Sequence, residues 1–261
     1  MSYVDAHVHL ADPGYQEDLE SILRCEANQI VQNLLSNATD YETSVKTVSI
    51  SRKHEGRVFA AVGIHPWTIV QNLQQPVEKF QSLIEADKHH ISAIGEIGLD
   101  GQYSQDEDNR NRQREIFKFF LQLAERKKLP VVVHSRLAVD ETLEILSSFN
   151  LTGVLMHWYS GPIDKLRVIR DRGYLISIGP SVTYTKRIAE IARTADRATI
   201  LTETDGPVQY YGPFKGKRTE PFFVVDVVKK LSEIRNEPPD TIRDVVLHNF
   251  HRFTGRNGYG K

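Results

Sequence analysis

The chain has a single cysteine, Cys25, in 261 residues. An internal disulfide is excluded and a thiolate metal cluster is disfavoured, which fits a reducing, cytoplasmic setting. No run of about 18 apolar residues occurs, so no membrane-spanning helix is expected. The opening MSYVDAHVHL lacks the basic start and long apolar run of a signal peptide. Excess charge is also missing: 33 Lys and Arg against 34 Asp and Glu leave a net charge of −1. No bulk positive field draws the protein to nucleic acid, and such contact needs a local basic patch. There is no internal repeat, low-complexity tract or Pro/Gly/Ser linker long enough to mark a second domain.

What is present is enough apolar material for a large core: 40% hydrophobic and 26% charged residues, the balance of a globular protein. Short apolar runs alternate with longer amphipathic stretches. The runs predict eight strands: Tyr3–Val8, Ile30–Leu35, Val58–Ile64, Ile91–Gly95, Val131–His134, Val154–His157, Tyr174–Ile178 and Thr199–Glu203. Between them, Arg112–Lys127 places Ile116, Phe119, Phe120 and Leu123 on one face, the period of an amphipathic helix. Strand–helix alternation predicts parallel strands joined by crossovers. Eight units in a chain near the roughly 250 residues of an α/β barrel predict one (β/α)8 TIM barrel over residues 1–261. The rival is an open, doubly wound sheet.

Metal-type side chains stand where these strands run out. In Asp5-Ala6-His7-Val8-His9 the strand period of two puts His7 and His9 on one face, with Asp5 behind them as a partner for one ring. Alone, such a pair is more often two polar residues at a strand end. Glu96 follows the run ISAIG inside GEIGLD; its two oxygens can bridge two cations, or simply form a salt bridge. Gly95 and Gly98 beside it predict close backbone approach and a sharp turn. Asp100 reads as a loop residue or a support for the ligands. His134 ends Val131-Val132-Val133, and His157 ends Val154-Leu155-Met156; both are polar where a doubly buried strand stops. Asp205 closes Thr202-Glu203-Thr204-Asp205 and can bind a metal and accept a proton from water. Glu203 is its local rival. His65, in GIHPW, either contacts substrate or belongs to a turn set by Pro66.

Four imidazoles and two carboxylates at one rim point to a two-metal hydrolytic centre. Such mixed donors suit zinc, manganese or cobalt better than magnesium, which prefers oxygen shells. Lys215, Lys217 and Arg218 in GPFKGKRTEP, and Arg136 in HSR, are candidate phosphate contacts, against the default of a solvated loop. His54, His89, His90, His248 and His251 fall in helix or loop and are not expected at the site.

Taken together, DAHVHL, GIHPW, GEIGLD, LPVVVHSR, MHWYSG, ETDGP, RTEP and NFHRFTG resemble, in order and spacing, the TatD-related metal-dependent hydrolases. The resemblance runs from Tyr3 to about Gly255, nearly the whole chain. It implies a TIM barrel of the amidohydrolase type carrying two divalent cations (zinc, manganese or magnesium), and deoxyribonuclease activity, often 3′→5′ exonuclease action on DNA. Carried over by motif, His7, His9 and Asp205 hold one metal, His134 and His157 hold the other, and Glu96 bridges. His65 and Arg136 meet the substrate, and Arg218 with Glu220 buttresses the mouth. Phosphotriesterase-like relatives bridge through a carbamylated lysine; no lysine lies near the fourth strand end.

The chain departs from the family pattern at Trp158-Tyr159, where HCFSG or HCFTG is usual, and at Gly206, where ETDAP is usual. Trp158 and Tyr159 either stack on a base or pack. The polar loop GQYSQDEDNR is acidic toward its end, which disfavours a polyanion. Expected partners are DNA as substrate and no membrane; the oligomeric state is left open, with a monomer plausible. Two alternatives stay open: a hydrolase of a small ester, amide or lactone on the same centre, and a non-catalytic barrel that binds nucleic acid or protein.

Overall fold

The computed structural model describes residues 2–71, 76–103 and 106–255. Ser104 and Gln105 of the acidic loop lie outside the described residues. Eight strands form one sheet in consecutive order: β1 (Tyr3–Val8), β2 (Val31–Asn37), β3 (Val58–Val62), β4 (Ile91–Gly98), β5 (Val131–His134), β6 (Val154–Met156), β7 (Leu175–Ile178) and β8 (Ile200–Thr202). Every hydrogen-bonded neighbour pair is parallel. Consecutive order rules out the doubly wound rival, in which the order reverses at a switch point.

The sheet curls until its first and last strands meet. Asp205 N–H donates to His7 O at 2.7 Å, and Thr202 Oγ1 to Val4 O at 2.6 Å. The final helix, Pro239–Thr254, lies over this seam against β1 and β8. Its buried Asn249 donates to Ile200 O and Arg197 O, both at 2.9 Å, giving the NFHRFTG segment a structural task. Helices on the outside explain the all-apolar strands: Val131, Val132 and Val133 are fully buried, since each strand is covered on both faces.

The longest helix, Glu107–Lys127, shows how a loop is held. Asp106 caps its start, accepting from Asn109 N at 2.7 Å. Its buried stripe runs Gln113, Phe117, Phe120 and Ala124, shifted so that Ile116 and Phe119 flank it half-buried. Fully burying a residue such as Phe120 contributes about 1.5–3 kcal/mol. Gln113 is the one polar member; its Oε1 accepts from Asp100 N at 2.8 Å, fastening the chain just beyond β4.

Strand bounds match expectation at β1 and β5. β4 runs three residues further, to Gly98, so Glu96 stands inside the strand and not after it. The extension is possible because Ile97 and Gly98 pair with Val133 and His134 after a register shift. Conversely β6 and β8 stop before His157 and Glu203.

Candidate metal centre

β1 presents His7 and His9 from its end, and both rings turn toward Glu96 of β4. Glycines make the approach possible. A Cβ on Gly98 (φ 141°) would lie 2.1 Å from His134 O, and one on Gly95 would lie 2.7 Å from Val132 Cβ. Only glycine lets β4 press so closely on β5. The Gly95–Glu96 peptide bond is cis.

The donor atoms fall into two groups, one at each oxygen of Glu96. Around Oε2, His7 Nε2 stands at 3.1 Å and His9 Nε2 at 3.5 Å. Asp205 Oδ1 completes this group, 3.4 Å from His7 Nε2 and 3.0 Å from His9 Nε2. Around Oε1 stand His157 Nε2 at 2.7 Å, His134 Nδ1 at 2.9 Å and His65 Nε2 at 3.1 Å. Donors set tetrahedrally about 2.1 Å from an ion lie about 3.4 Å apart. The first group brackets that spacing, and nitrogen with carboxylate oxygen is the donor chemistry of a divalent transition metal. The residues therefore fit a metal centre.

The protonation states divide: at His134 and His157 burial works downward, but hydrogen bonds and charge from neighbouring carboxylates outweigh it and raise both. Burial lowers the His7 pKa to about 3, helped by nearby His157, so its approach to Glu96 is that of a neutral imidazole, the ligand form. Burial likewise lowers His65 to about 4. At His9 burial also works downward, but the hydrogen bond and charge of Asp205, with Glu96, outweigh it and raise the pKa to about 9. Burial opposes ionisation of Glu96, yet the surrounding His157, His65 and His7 hold it well below the usual carboxylate range. The pocket thus keeps Glu96 and Asp205 ionised and draws in positive charge.

A second ring of contacts aims these side chains. His9 Nδ1 faces Asn37 O at 2.9 Å, and His134 Nε2 faces Asp100 Oδ2 at 2.8 Å. Ser177 Oγ donates to Glu203 Oε2 at 2.5 Å, and that oxygen stands 3.6 Å from His157 Nδ1. Glu203 is thus the deeper carboxylate, behind the His157 ring, while Asp205 faces the cleft. Asp5 lies elsewhere than expected. Its oxygens accept from Thr204 N at 2.9 Å, Thr204 Oγ1 at 2.5 Å and His7 N at 3.3 Å, with no imidazole nitrogen among these partners. It ties β1 to the segment after β8.

His65 stands within the second donor group. Its Nε2 reaches His134 Nδ1 at 3.2 Å and the residue is 4% exposed, on the floor beside the ligands. The available signal was its place at the end of a strand run, shared with His134 and His157.

Above the floor opens a cleft of about 940 Å³. Arg136 lines it, with Nε donating to Asp100 Oδ2 at 2.8 Å. Trp158 lines it half-buried, its ring stacked on Tyr210 at 5.3 Å. Tyr159 packs inward, its hydroxyl donating to Pro162 O at 2.6 Å. Arg218 is not among the lining residues; its guanidinium donates to Asp18 and Gly14 O and lies over the Tyr15 ring. Glu220 accepts from Asn28 Nδ2 at 2.9 Å. Lys215 and Lys217 are exposed and also outside the lining.

A parallel eight-stranded barrel with imidazoles and carboxylates gathered at the C-terminal strand ends defines a metal-dependent hydrolase. More closely, the model of the family described as "TatD related DNase" matches residues 4–255, and the chain belongs to that family. It is 28% identical to the uncharacterized metal-dependent hydrolase MJ1582 of Methanocaldococcus jannaschii, covering 98% of each chain. Over 95% of each chain it is 30% identical to the uncharacterized metal-dependent hydrolase YjjV of Escherichia coli strain K12. The crystal structure of YjjV superposes with a TM-score of 0.87, covering 96% of this chain and 97% of that one. The human deoxyribonuclease TATDN3 is 28% identical, with 94% of this chain and 92% of that protein covered. Among the described residues no helix is long and apolar enough to cross a membrane.

Proposed function

We propose that this protein hydrolyses phosphodiester bonds, acting as a deoxyribonuclease of the 3′→5′ exonuclease type. The observation that carries the reading is the division of donors between the two oxygens of Glu96, which suits a carboxylate shared by two cations. In this reading His7, His9 and Asp205 would hold one ion, His134 and His157 would hold the other, and Glu96 would serve both. Bound there, two divalent cations supply the positive charge that neutralises a phosphate and acidifies an attacking water.

The remaining work belongs to the chain. Asp205, ionised and open to the cleft, accepts the proton of that water. Arg136, held in orientation by Asp100, turns the rest of its guanidinium to a phosphate oxygen. His65 sits beside the second donor group, placed either to complete it or to contact the substrate. The name of TATDN3 supports a DNA substrate.

The test is a panel of end-labelled single-stranded DNA, RNA and small ester or amide substrates, with metal content measured per chain and Glu96→Ala as the blank. The expected result is stepwise shortening of DNA from its 3′ end, dependent on added metal and lost in Glu96→Ala. Turnover confined to small esters or amides, or a purified protein with well under one metal per chain, would overturn the reading.

A further inference from the structure

The cleft above the metal centre has an uneven lining. Its cations outside the ligand set, among the described residues, are Arg136 and Arg187. Both are engaged: Arg136 with Asp100, and Arg187 Nη2 with Gly161 O at 2.7 Å. The lining carboxylates outside the donor set are Asp12, Asp100, Asp140 and Glu141, of which Asp100 is paired with Arg136, Asp140 with Lys165 and Glu141 with Arg114. The KGKR segment offers no continuation, because Lys215 and Lys217 do not line the cleft and Arg218 is paired with Asp18. A groove that follows a polynucleotide needs a run of cations along the backbone. Here Arg136 offers one phosphate contact, and among the described lining residues no run of cations continues from it.

The apolar part of the wall is continuous with the floor. The His65 and Trp67 rings stand 4.3 Å apart, Trp67 and Tyr103 6.5 Å apart, and the Arg136 guanidinium lies 5.0 Å over Tyr103. Trp67 is nevertheless 39% exposed, so part of its ring surface is open. Next to Arg136, Leu137 is 82% exposed and takes φ 54°, a conformation a leucine adopts only when its surroundings impose it. They do: Gly101 N donates to Arg136 O at 2.8 Å, and a Cβ on Gly101 would lie 2.9 Å from Leu137 O. The backbone is built to hold a leucine outward at the mouth. Trp158, also in αL geometry (φ 39°), lines the cleft as well.

From this we infer that the cleft selects short phosphodiesters of dinucleotide size, gripping one base against Trp67 and Leu137 and one phosphate at Arg136, and does not track a long strand. The inference rests on the phosphodiester reading above and names the substrate class within it.

Two measurements on the manganese-loaded protein test it. The first compares thymidylyl-thymidine with an oligothymidylate of about twenty residues at about 50 and about 200 mM salt. For a single phosphate contact kcat/KM falls about threefold over that range, whereas six contacts would give about 300-fold. The dinucleotide is expected within about tenfold of the oligomer per chain end, with the shallow salt response. The second uses intrinsic fluorescence, because the chain's two tryptophans, Trp67 and Trp158, both line the cleft. Binding of a phosphorothioate thymidine dinucleotide should quench it. Trp67→Ala should raise KM for the dinucleotide about tenfold, falling on KM and not kcat. The same loss should appear for wild type on a dinucleotide with one abasic sugar, and should not add to the mutation. Leu137→Asn, which tolerates that backbone, should raise KM in the same direction. An oligomer preferred by more than about 100-fold with a steep salt response overturns the inference and leaves the phosphodiester reading standing. Absence of cleavage of either substrate overturns that reading, and absence of quenching by the dinucleotide then overturns the inference separately.

Discussion

Glu96 and Leu137 belong to the same cleft, one 1% exposed on its floor and the other 82% exposed at its rim. Around Glu96, every donor comes from a strand or its first residues beyond, and His9 and His134 are aimed by Asn37 O and Asp100. Around Leu137, the side chains come from loops, their pairings are partly solvent-exposed, and two non-glycine residues, Leu137 and Trp158, adopt positive φ. The floor is rigid because eight paired strands hold it; the rim is shaped segment by segment. Chemistry resides in the first and choice of substrate in the second, the usual division in a barrel enzyme.

The sharpest way to break this contrast is to remove the charge that both donor groups share. Glu96→Gln is expected to lower turnover by at least about 10³-fold and to reduce bound metal, since the pocket loses its central carboxylate. Metal analysis beside a rate measurement checks it, and near-wild-type turnover would end the two-group account. Next comes the backbone beneath it. Gly98→Ala should destabilise the fold by about 3 kcal/mol, because a Cβ there meets His134 O, measurable by urea unfolding. A change below about 0.5 kcal/mol would mean that the strand pair is not tight. Asp100 joins floor to rim, touching both His134 and Arg136. Asp100→Asn should cost about 10–100-fold in metal affinity or activity while circular dichroism is unchanged. An unaltered metal titration would show that His134 needs no such support. The smallest effect is expected at Arg218→Ala. Its guanidinium serves Asp18 and Gly14, so KM should move by less than about twofold. A larger rise would return Arg218 to the substrate's path.

The floor was largely legible in the residue order. Runs such as Val131-Val132-Val133 announce a strand covered on both faces, and a histidine at such an end is conspicuous. His7 and His9 share a face because the strand period is two, and the structure has them so. The rim was not legible to the same degree. That Arg218 pairs with Asp18, 200 positions away in sequence, follows from no local pattern. Trp158 and Tyr159 are neighbours of similar chemistry, yet one lines the cleft and the other packs inward. Asp5 shares parity with the histidines but turns to Thr204, because closure brings the end of β8 within reach of β1. Glu96 within a strand was obscured by its glycines, which read as a turn until the pairing with β5 is known.

Residue order alone determined the alternation of strand and helix, the ends where polar residues stand, and which side chains are of ligand type. These are local properties carried by consecutive residues. Tertiary structure decided how the donor atoms divide between the two oxygens of Glu96, that His65 joins the floor, and that Arg218 pairs with Asp18 instead of lining the cleft. Those depend on distances between strand ends far apart in the chain, set by the tilt and closure of the barrel as a whole.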